Sequence, residues 1–281
     1  GKGSNQAVAA GRTGVPTAFV GSVGDDAFAR EAAQFYATEG IAAQFITKPK
    51  HATATAGILV NDAGQNEIVV ALGASAQIKP RDINRNLIAN AKVVVCQHEA
   101  TLAINAHVFR LARQARVTTV LNPAPMRGDF DPAILKHTDV LIPNETEFVA
   151  LANQLGLAGK TVLTEKKLAA LSATALHRLC RGFGVPTVIV TLGKRGCLVS
   201  QTDGATLIPA CRGIKVVDTT GAGDAFCGGF AAGIVKFDHD IIAAARFANA
   251  VAALSVTKRG TAPAMPTARE IAHFLKQSGK A

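Results

Sequence analysis

Tryptophan is absent from this chain of 281 residues and tyrosine occurs once. A surface that stacks nucleobases on aromatic rings has little to build with. The formal charge of +10 would suit a polyanion, but lysine and arginine are dispersed and no basic run of five occurs. Nucleic acid is therefore not an expected partner, and a basic surface serves a small anionic substrate as well. No apolar run reaches the roughly 18 residues a membrane-crossing helix needs, so no membrane association is expected. No signal-peptide pattern follows Gly1, and no low-complexity tract interrupts the chain. Cysteine is sparse: Cys96, Cys180, Cys197, Cys211 and Cys227 form an odd set without a C-x-x-C pair. That argues against a zinc site or a disulfide framework and predicts reduced, packed thiols in a cytoplasmic protein. The histidines show no metal-ligand spacing. What is abundant is apolar sequence, 48% of the chain, spread along its length and sufficient for one large core or two modest ones.

β-like and helix-like segments alternate. Residues 4–11 read as a helix stopped by Gly14-Val15-Pro16, and 17–23 as a strand. Asp25 and Asp26 then suit a helix start and Gly40 its end. Residues 53–60 and 66–71 read as short strands joined by the hairpin signal Asn61-Asp62-Ala63-Gly64. Segment 53–71 is thus an antiparallel excursion, suited to a lid. Strand-then-helix units follow: 93–96 with 103–115, then 117–121, then 140–142 with a helix after Asn144. A helix around 168–181 precedes a strand at 188–192. Gly193 to Gly196 joins two strands, short strands continue to Val217, and helices are expected at 222–235, 243–256 and 267–276. Continuous apolar strands alternating with helices predict an α/β fold, a mainly parallel sheet covered by helices on both faces. Ligands bind past the carboxyl ends of such strands, where Gln97, His98, Glu99, Asn122, Asn144, Thr191 and Gly193 fall. No linker and no internal repeat is evident.

The most informative stretch is Val217-Asp218-Thr219-Thr220-Gly221-Ala222-Gly223-Asp224-Ala225-Phe226. It sets a carboxylate, Asp224, at the mouth of a helix behind a small-residue turn. Unpaired N–H groups and the helix dipole make that mouth an anion cradle. A base beside such a cradle is the minimal equipment for phosphoryl transfer; the other reading of Asp224 is a plain helix cap. Gly1-Lys2-Gly3-Ser4-Asn5 is a glycine-rich loop opening a helix, either a loose chain end or a place where Lys2 and Asn5 bond a polyhydroxylated ligand. Asn144-Glu145-Thr146-Glu147 forms a capping box, or puts Glu147 near a hydrated Mg²⁺. Thr191-Leu192-Gly193-Lys194-Arg195-Gly196 is a hairpin turn, or wraps a nucleotide with bare backbone. Two motifs fail. Gly159-Lys160-Thr161 lacks the earlier glycine of a phosphate-binding loop, its place being taken by Gln154, and Gly221-x-Gly223 lacks the third glycine of a dinucleotide fingerprint, where Phe226 stands.

Taken together, these segments resemble the ribokinase family of carbohydrate kinases, the PfkB type, over essentially the whole chain and in one order. Gly1-Lys2-Gly3-Ser4-Asn5-Gln6-Ala7 is similar to the family's first signature and Asp218 to Asp224 to its second. Leu121-Asn122-Pro123-Ala124-Pro125 and Pro143 to Glu147 also match family segments. The resemblance implies ATP-dependent phosphorylation of a sugar hydroxyl, D-ribose to D-ribose 5-phosphate. The alternatives it leaves are deoxyribose, another pentose or a ketohexose, and a non-catalytic remnant that keeps nucleotide binding. It implies Asp224 as general base, with the backbone of Gly221, Ala222 and Gly223 stabilising the transferring phosphoryl group. Gly1, Lys2, Gly3, Asn5 and Glu99 would contact the sugar. Asn144, Thr191, Leu192, Gly193, Lys194, Arg195, Gly196 and Asn249 would contact ATP, and Glu147 would support the Mg²⁺–phosphate site. A monovalent cation, K⁺, would be held by Asp218, Thr220, Ser255, Lys258 and Gly260, with Ala264 standing where a serine ligand is common. Family members also carry a segment ahead of the Gly-Lys-Gly loop, supplying a core strand, a sugar-gripping Asp and two lid strands. Residues 1–281 are therefore expected to form a kinase domain truncated at its N-terminus. Its sheet would have an unpaired edge, its lid would be incomplete, and a homodimer through that lid would be doubtful.

Overall fold

A computed structural model of the chain describes residues 1–60, 66–159 and 161–278. The turn signal at 61–64 and Lys160 of the failed phosphate-loop motif lie outside the described residues. Helix α1 (Lys2–Arg12) is followed by β1 (Ala18–Val23), α2 (Ala27–Thr38) and β2 (Ala42–Thr47). Strands β1 and β2 run parallel in register from Ala18↔Ala42 to Val23↔Thr47. Asp26 caps α2 as its position predicts: Oδ1 accepts from the Ala29 N–H at 2.9 Å, while Oδ2 accepts from the Thr53 N–H at 2.7 Å. Such a cap contributes about 1 kcal/mol. Strand β2 has no counterpart in the sequence reading. Its side chains are exposed or half-buried on both faces, so no apolar period marks it.

Strands β3 (Thr55–Val60) and β4 (Asn66–Ala71) form the expected antiparallel ribbon, separate from the other strands. The main sheet holds β5 (Val93–Cys96), β6 (Thr118–Leu121), β7 (Val140–Leu141), β8 (Thr187–Thr191), β9 (Cys197–Gln201) and β10 (Gly204–Ile208), in the order β10-β9-β8-β7-β6-β5. It is parallel from β5 to β8 and antiparallel beyond. The helices are α3 (Arg85–Ala89), α4 (Leu102–Gln114), α5 (Glu145–Gln154), α6 (Glu165–Ala169), α7 (Ala173–Arg181), α8 (Ala222–Lys236), α9 (Ile241–Ser255) and α10 (Ala268–Ser278). Two expectations need correction. The helix anticipated at 168–181 is two helices, because Ser172 restarts it by accepting from the Ala175 N–H at 3.2 Å. No strand occupies 209–217.

Period-two alternation divides the core. Leu121, Leu141, Val188 and Val190 face one side with Phe109, Phe148 and Leu151, while Val120, Val140 and Ile189 face the other with Phe226, Phe230 and Ile234. Alternate side chains point to opposite faces, so each face acquires its own helical layer. Burying one such side chain fully contributes roughly 1.5–3 kcal/mol. Helix α8 packs through glycine. A Cβ on Gly228 would lie 2.2 Å from the Gln6 carbonyl oxygen of α1, so only glycine permits that approach. Among the described residues the parallel strands form two separate pieces, β1–β2 and β5–β8, and β1 and β5 each pair on one side only. All five thiols are free, and burial pushes those of Cys96, Cys180 and Cys197 up to about 12.

Candidate active site

The N-terminal ends of α1 and α8 meet beyond the carboxyl ends of β5 to β8. Helix α1 begins at Lys2, so the glycine-rich loop read from residues 1–5 is the helix's first turn. The Lys2 N–H donates to Glu99 Oε2 at 2.5 Å, and a Cβ on Gly1 would stand 2.7 Å from the same oxygen. Asn5 Nδ2 donates to Asp224 Oδ2 at 2.8 Å, and Gln6 Nε2 donates to Asp224 Oδ1 at 3.1 Å. Gln6 also donates to Asn122 Oδ1 at 3.0 Å and accepts from Gln97 Nε2 at 2.7 Å. Asn122 in turn donates to the Ile142 carbonyl at 2.9 Å. Both Gln6 and Asp224 are buried, and stranding either group would cost about 1–3 kcal/mol. Sequence reasoning did not single out Gln6 as a site residue. Its signal was a lone amide heading the buried apolar run Ala7 to Ala10.

Gly221 opens α8 in the left-handed region, φ +80°, and a Cβ there would meet Thr261 at 3.3 Å. The Ala222 N–H donates to the Thr219 carbonyl at 3.2 Å. Within the described residues no acceptor faces the N–H groups of Gly221, Gly223 or Asp224. The free donors at the mouth are therefore these three, and Ala222, expected from the sequence, is already engaged. The space over Gly223 is open: nothing lies within 4 Å of the point where a Cβ would stand. A cavity of about 140 Å³ spans this mouth, lined by Lys2, Asn122, Asn144, Glu147, Thr191, Gly221 to Asp224 and Cys227 among others.

Glu147 is buried opposite Asp224. Its Oε2 accepts from the Asn144 N–H at 2.9 Å and its Oε1 from Asn144 Nδ2 at 3.1 Å, while Asn144 Oδ1 accepts from the Glu147 N–H at 2.8 Å. The capping box is real, and it also holds a carboxylate at the cavity wall. Burial raises the Glu147 pKa and the charge of Asp224 raises it further, against the Asn144 N–H and Lys2. Asn144 bridges Thr191, whose N–H donates to the Pro143 carbonyl at 3.0 Å.

The remaining nucleotide candidates lie outside this cavity. Leu192 is buried, Gly193 and Lys194 are exposed, and Gly193 adopts φ +52°. Arg195 donates to Glu145 Oε1 at 2.7 Å and to the Ala169 carbonyl at 3.2 Å. Gly196 adopts φ +92°, and a Cβ there would lie 2.0 Å from the Ile208 carbonyl oxygen, which makes glycine obligatory. Asn249 donates to the Pro209 carbonyl at 2.9 Å.

The cation candidates gather behind the mouth. Asp218 accepts from the Thr220 N–H at 2.9 Å and the Gly260 N–H at 3.0 Å. These bonds, that from Gly260 foremost, hold its carboxyl down at about 2. The carbonyls of Thr220, Ser255, Lys258 and Gly260 receive no N–H from the described residues. An all-oxygen donor set of this kind fits a hard cation. The Lys258 side chain pairs with Glu270 at 2.5 Å, and the Ser255 hydroxyl donates to the Ala252 carbonyl at 2.9 Å, so both would contribute through the backbone.

A helix-covered, mainly parallel sheet with an anion-accepting helix mouth and an adjoining carboxylate defines an α/β protein of the phosphate-handling class. Known proteins sharpen this. The sequence profile of the pfkB family carbohydrate kinases matches residues 1–268. The ribokinase of Mus musculus is 33% identical over 276 residues, covering 96% of this chain and 82% of the mouse protein. The structure of the Giardia lamblia ribokinase superposes with a TM-score of 0.88 at 30% identity, covering 99% of this chain and 88% of that one. That of the Arabidopsis thaliana ribokinase complexed with ribose and ATP gives 0.85 at 29% identity, over 98% and 87%. The chain belongs to the pfkB family of carbohydrate kinases and is a sugar kinase.

Proposed function

We propose that this chain transfers the γ-phosphoryl group of ATP to the primary hydroxyl of D-ribose, giving D-ribose 5-phosphate and ADP. The observation that carries the reading is the position of Asp224. Asn5 and Gln6 hold both its oxygens at the rim of a helix mouth whose Gly221, Gly223 and Asp224 N–H groups are free. The sugar lies against Gly1, Lys2, Gly3, Asn5 and Glu99. Asp224 takes the hydroxyl proton as the sugar oxygen bonds to the γ-phosphorus and the bond to the β,γ-bridging oxygen breaks. Charge on the equatorial phosphoryl oxygens meets the free N–H groups, a preorganised arrangement for anionic transition states. Asn144 and Thr191 at the cavity wall, and beyond them Leu192 to Gly196 and Asn249, form the nucleotide side.

Mg²⁺ supplied with ATP would neutralise phosphate charge, with Glu147 as the carboxylate of this chain facing it. K⁺ at Asp218, Thr220, Ser255, Lys258 and Gly260 would steady the turn that opens α8. Residues 1–281 act as one kinase domain in the cytoplasm, with ribbon 53–71 as a lid. The exposed Leu59, Val69 and Val70 of that ribbon offer apolar surface for the sugar's cover or for a second copy's ribbon. A coupled ADP-release assay over ribose, deoxyribose, other pentoses and ketohexoses tests the reading. Ribose should give the highest kcat/KM and a product phosphorylated at C5. A higher kcat/KM with deoxyribose or a ketohexose would replace the substrate. ATP binding without ADP release on any sugar would leave a nucleotide-binding remnant.

A further inference from the structure

Arg12, the last residue of α1, makes contacts that the reaction described above does not account for. Its Nε and Nη2 donate to the two oxygens of Glu39 at 2.7 and 2.6 Å. Its Nη1 donates to the carbonyls of Pro263 at 3.1 Å and Met265 at 2.7 Å. Four of the five N–H donors of the planar fork are thus engaged. A guanidinium can fill this geometry, and a lysine ammonium, a point charge on a flexible stem, cannot. The bond to Glu39 raises the pKa of Arg12, against its partial burial.

Pro263 is the middle residue of the short turn at Ala262–Ala264, and Met265 directly follows it. That turn continues directly from Gly260 and Thr261. Gly260 donates its N–H to Asp218, and Thr261 is the residue a Cβ on Gly221 would strike at 3.3 Å. One end of segment 260–265 therefore presses on the glycine that opens α8 and on the Asp218 turn, and the other end is pinned by Arg12. Helix α1 reaches the same mouth from its opposite end, where Asn5 and Gln6 hold Asp224. In between, α1 and α8 touch backbone to backbone at Gly228. Residue 12 lies ten residues beyond the helix start, roughly 15 Å along its axis at about 1.5 Å per residue. Arg12 is too remote to touch substrate, and its side chain reaches the reaction through this segment.

We propose that Arg12 is a positioning residue for phosphoryl transfer. By clamping the Pro263 and Met265 carbonyls it sets Gly260 and Thr261 against Asp218 and Gly221, and so fixes the free N–H groups of the α8 mouth. Together with Asn5 and Gln6 it makes α1 the common reference for base and anion cradle. The inference rests on the sugar-kinase mechanism above, and its test separates the two.

The experiment pairs Arg12→Met with Arg12→Lys and Glu39→Gln, and reads kcat, KM and amide hydrogen exchange. In Arg12→Met, kcat should fall about 10- to 100-fold, the scale of a small misplacement of catalytic groups. The KM values for ATP and sugar should move less than about twofold, since ground-state contacts are untouched. The Gly260 amide should lose protection. Arg12→Lys should fall between Met and wild type. Glu39→Gln keeps the guanidinium and its two carbonyl contacts, so it should retain most of kcat even where its melting temperature drops, and it stands in should Arg12→Met fail to fold. A folded Arg12→Met protein with unchanged kcat, or with Gly260 still protected, would overturn the proposal. So would a Glu39→Gln protein whose kcat collapses while Gly260 stays protected. If the wild-type chain phosphorylates no sugar, the mechanism falls, and Gly260 protection in the variants still decides whether Arg12 positions the segment.

Discussion

At the scale of single residues, two carboxylates in one cavity are held in different ways. Asp224 receives two side-chain amides, whereas Glu147 receives the backbone and side-chain N–H groups of a single residue, Asn144. Replacing Asp224 by Asn keeps the shape and leaves an oxygen for Asn5 or Gln6, but removes the proton acceptor. Turnover should fall about 10²–10⁴-fold, the usual worth of a positioned base, while ATP affinity by calorimetry stays near wild type. Turnover at the parent rate would remove Asp224 from the mechanism. For Glu147 the consequence is a pH dependence. Burial raises its folded-state pKa, so the folded chain holds that proton more tightly than the unfolded chain, whose carboxyl titrates near about 4.3. The associated stability is complete below the unfolded value and is lost as pH rises through the folded one. Glu147→Gln cannot ionise and escapes that loss. The melting temperature of Glu147→Gln minus that of wild type should therefore be greater at about pH 7 than at about pH 4.5. A difference independent of pH would show that Glu147 titrates alike in both states.

At the scale of elements, local spacing was informative and partnership was not. The capping box at Asn144 and Glu147, the Asp26 cap and the helix behind Gly221 depend on neighbours within a turn of chain, and each was legible. Glu99, Asn122 and Asn144 stood out as candidates because they follow strand ends, where such sheets bind ligands, and Asn5 and Asp224 because they sit in small-residue turns that open helices. Strand β2 went unread because its burial has no period. The linking role of Gln6 depends on the folded path of the chain, which spacing does not encode, and the engagement of the Ala222 N–H by Thr219, though local, depends on the backbone angles of the turn. The contact between α1 and α8 belongs to the same kind, and it yields a prediction. Gly228→Ala sets a methyl 2.2 Å from the Gln6 carbonyl oxygen, with Ala9 Cβ at 2.7 Å. The helices must part, at a cost of about 1–3 kcal/mol for an overpacked contact, and Asn5 and Gln6 move off Asp224. The variant should melt at lower temperature and lose kcat as well. A drop in melting temperature with kcat intact would mean that α1 does not orient the base.

At the scale of the whole molecule, the division of the parallel strands is the feature with the widest consequence. Among the described residues, strand β5 is paired only with β6, and β1 only with β2. Yet both contribute to one core, since Val20 of β1 and Val94 and Cys96 of β5 pack on the same cluster. Gly3 of α1 lies between Phe19 of β1 and Gln97 just past β5. In a parallel ladder a residue directs its N–H and C=O to the same side, and successive residues alternate. The carbonyls of Lys92 and Cys96 accept from Thr118 and Asn122 at 3.2 and 3.0 Å. Lys92, Val94 and Cys96 therefore face β6, while Val93 and Val95 face the free edge. On β1 the carbonyls of Thr17 and Val23 accept from Ala42 and Lys48, which turns Val20 away from β2. An N–H without a ladder partner opens at little cost, so exchange should follow this alternation. By hydrogen exchange with residue resolution, the amides of Val20, Val93 and Val95 should exchange at least about tenfold faster than those of Val94 and Cys96. A free edge is also where another chain can pair. If Val20, Val93 and Val95 were as protected as Val94 in concentrated solution and lost that protection on dilution, the edge would be paired between copies. If they stayed protected at every concentration, the two pieces of sheet would not be separate in solution, and the strand order would be wrong at that point.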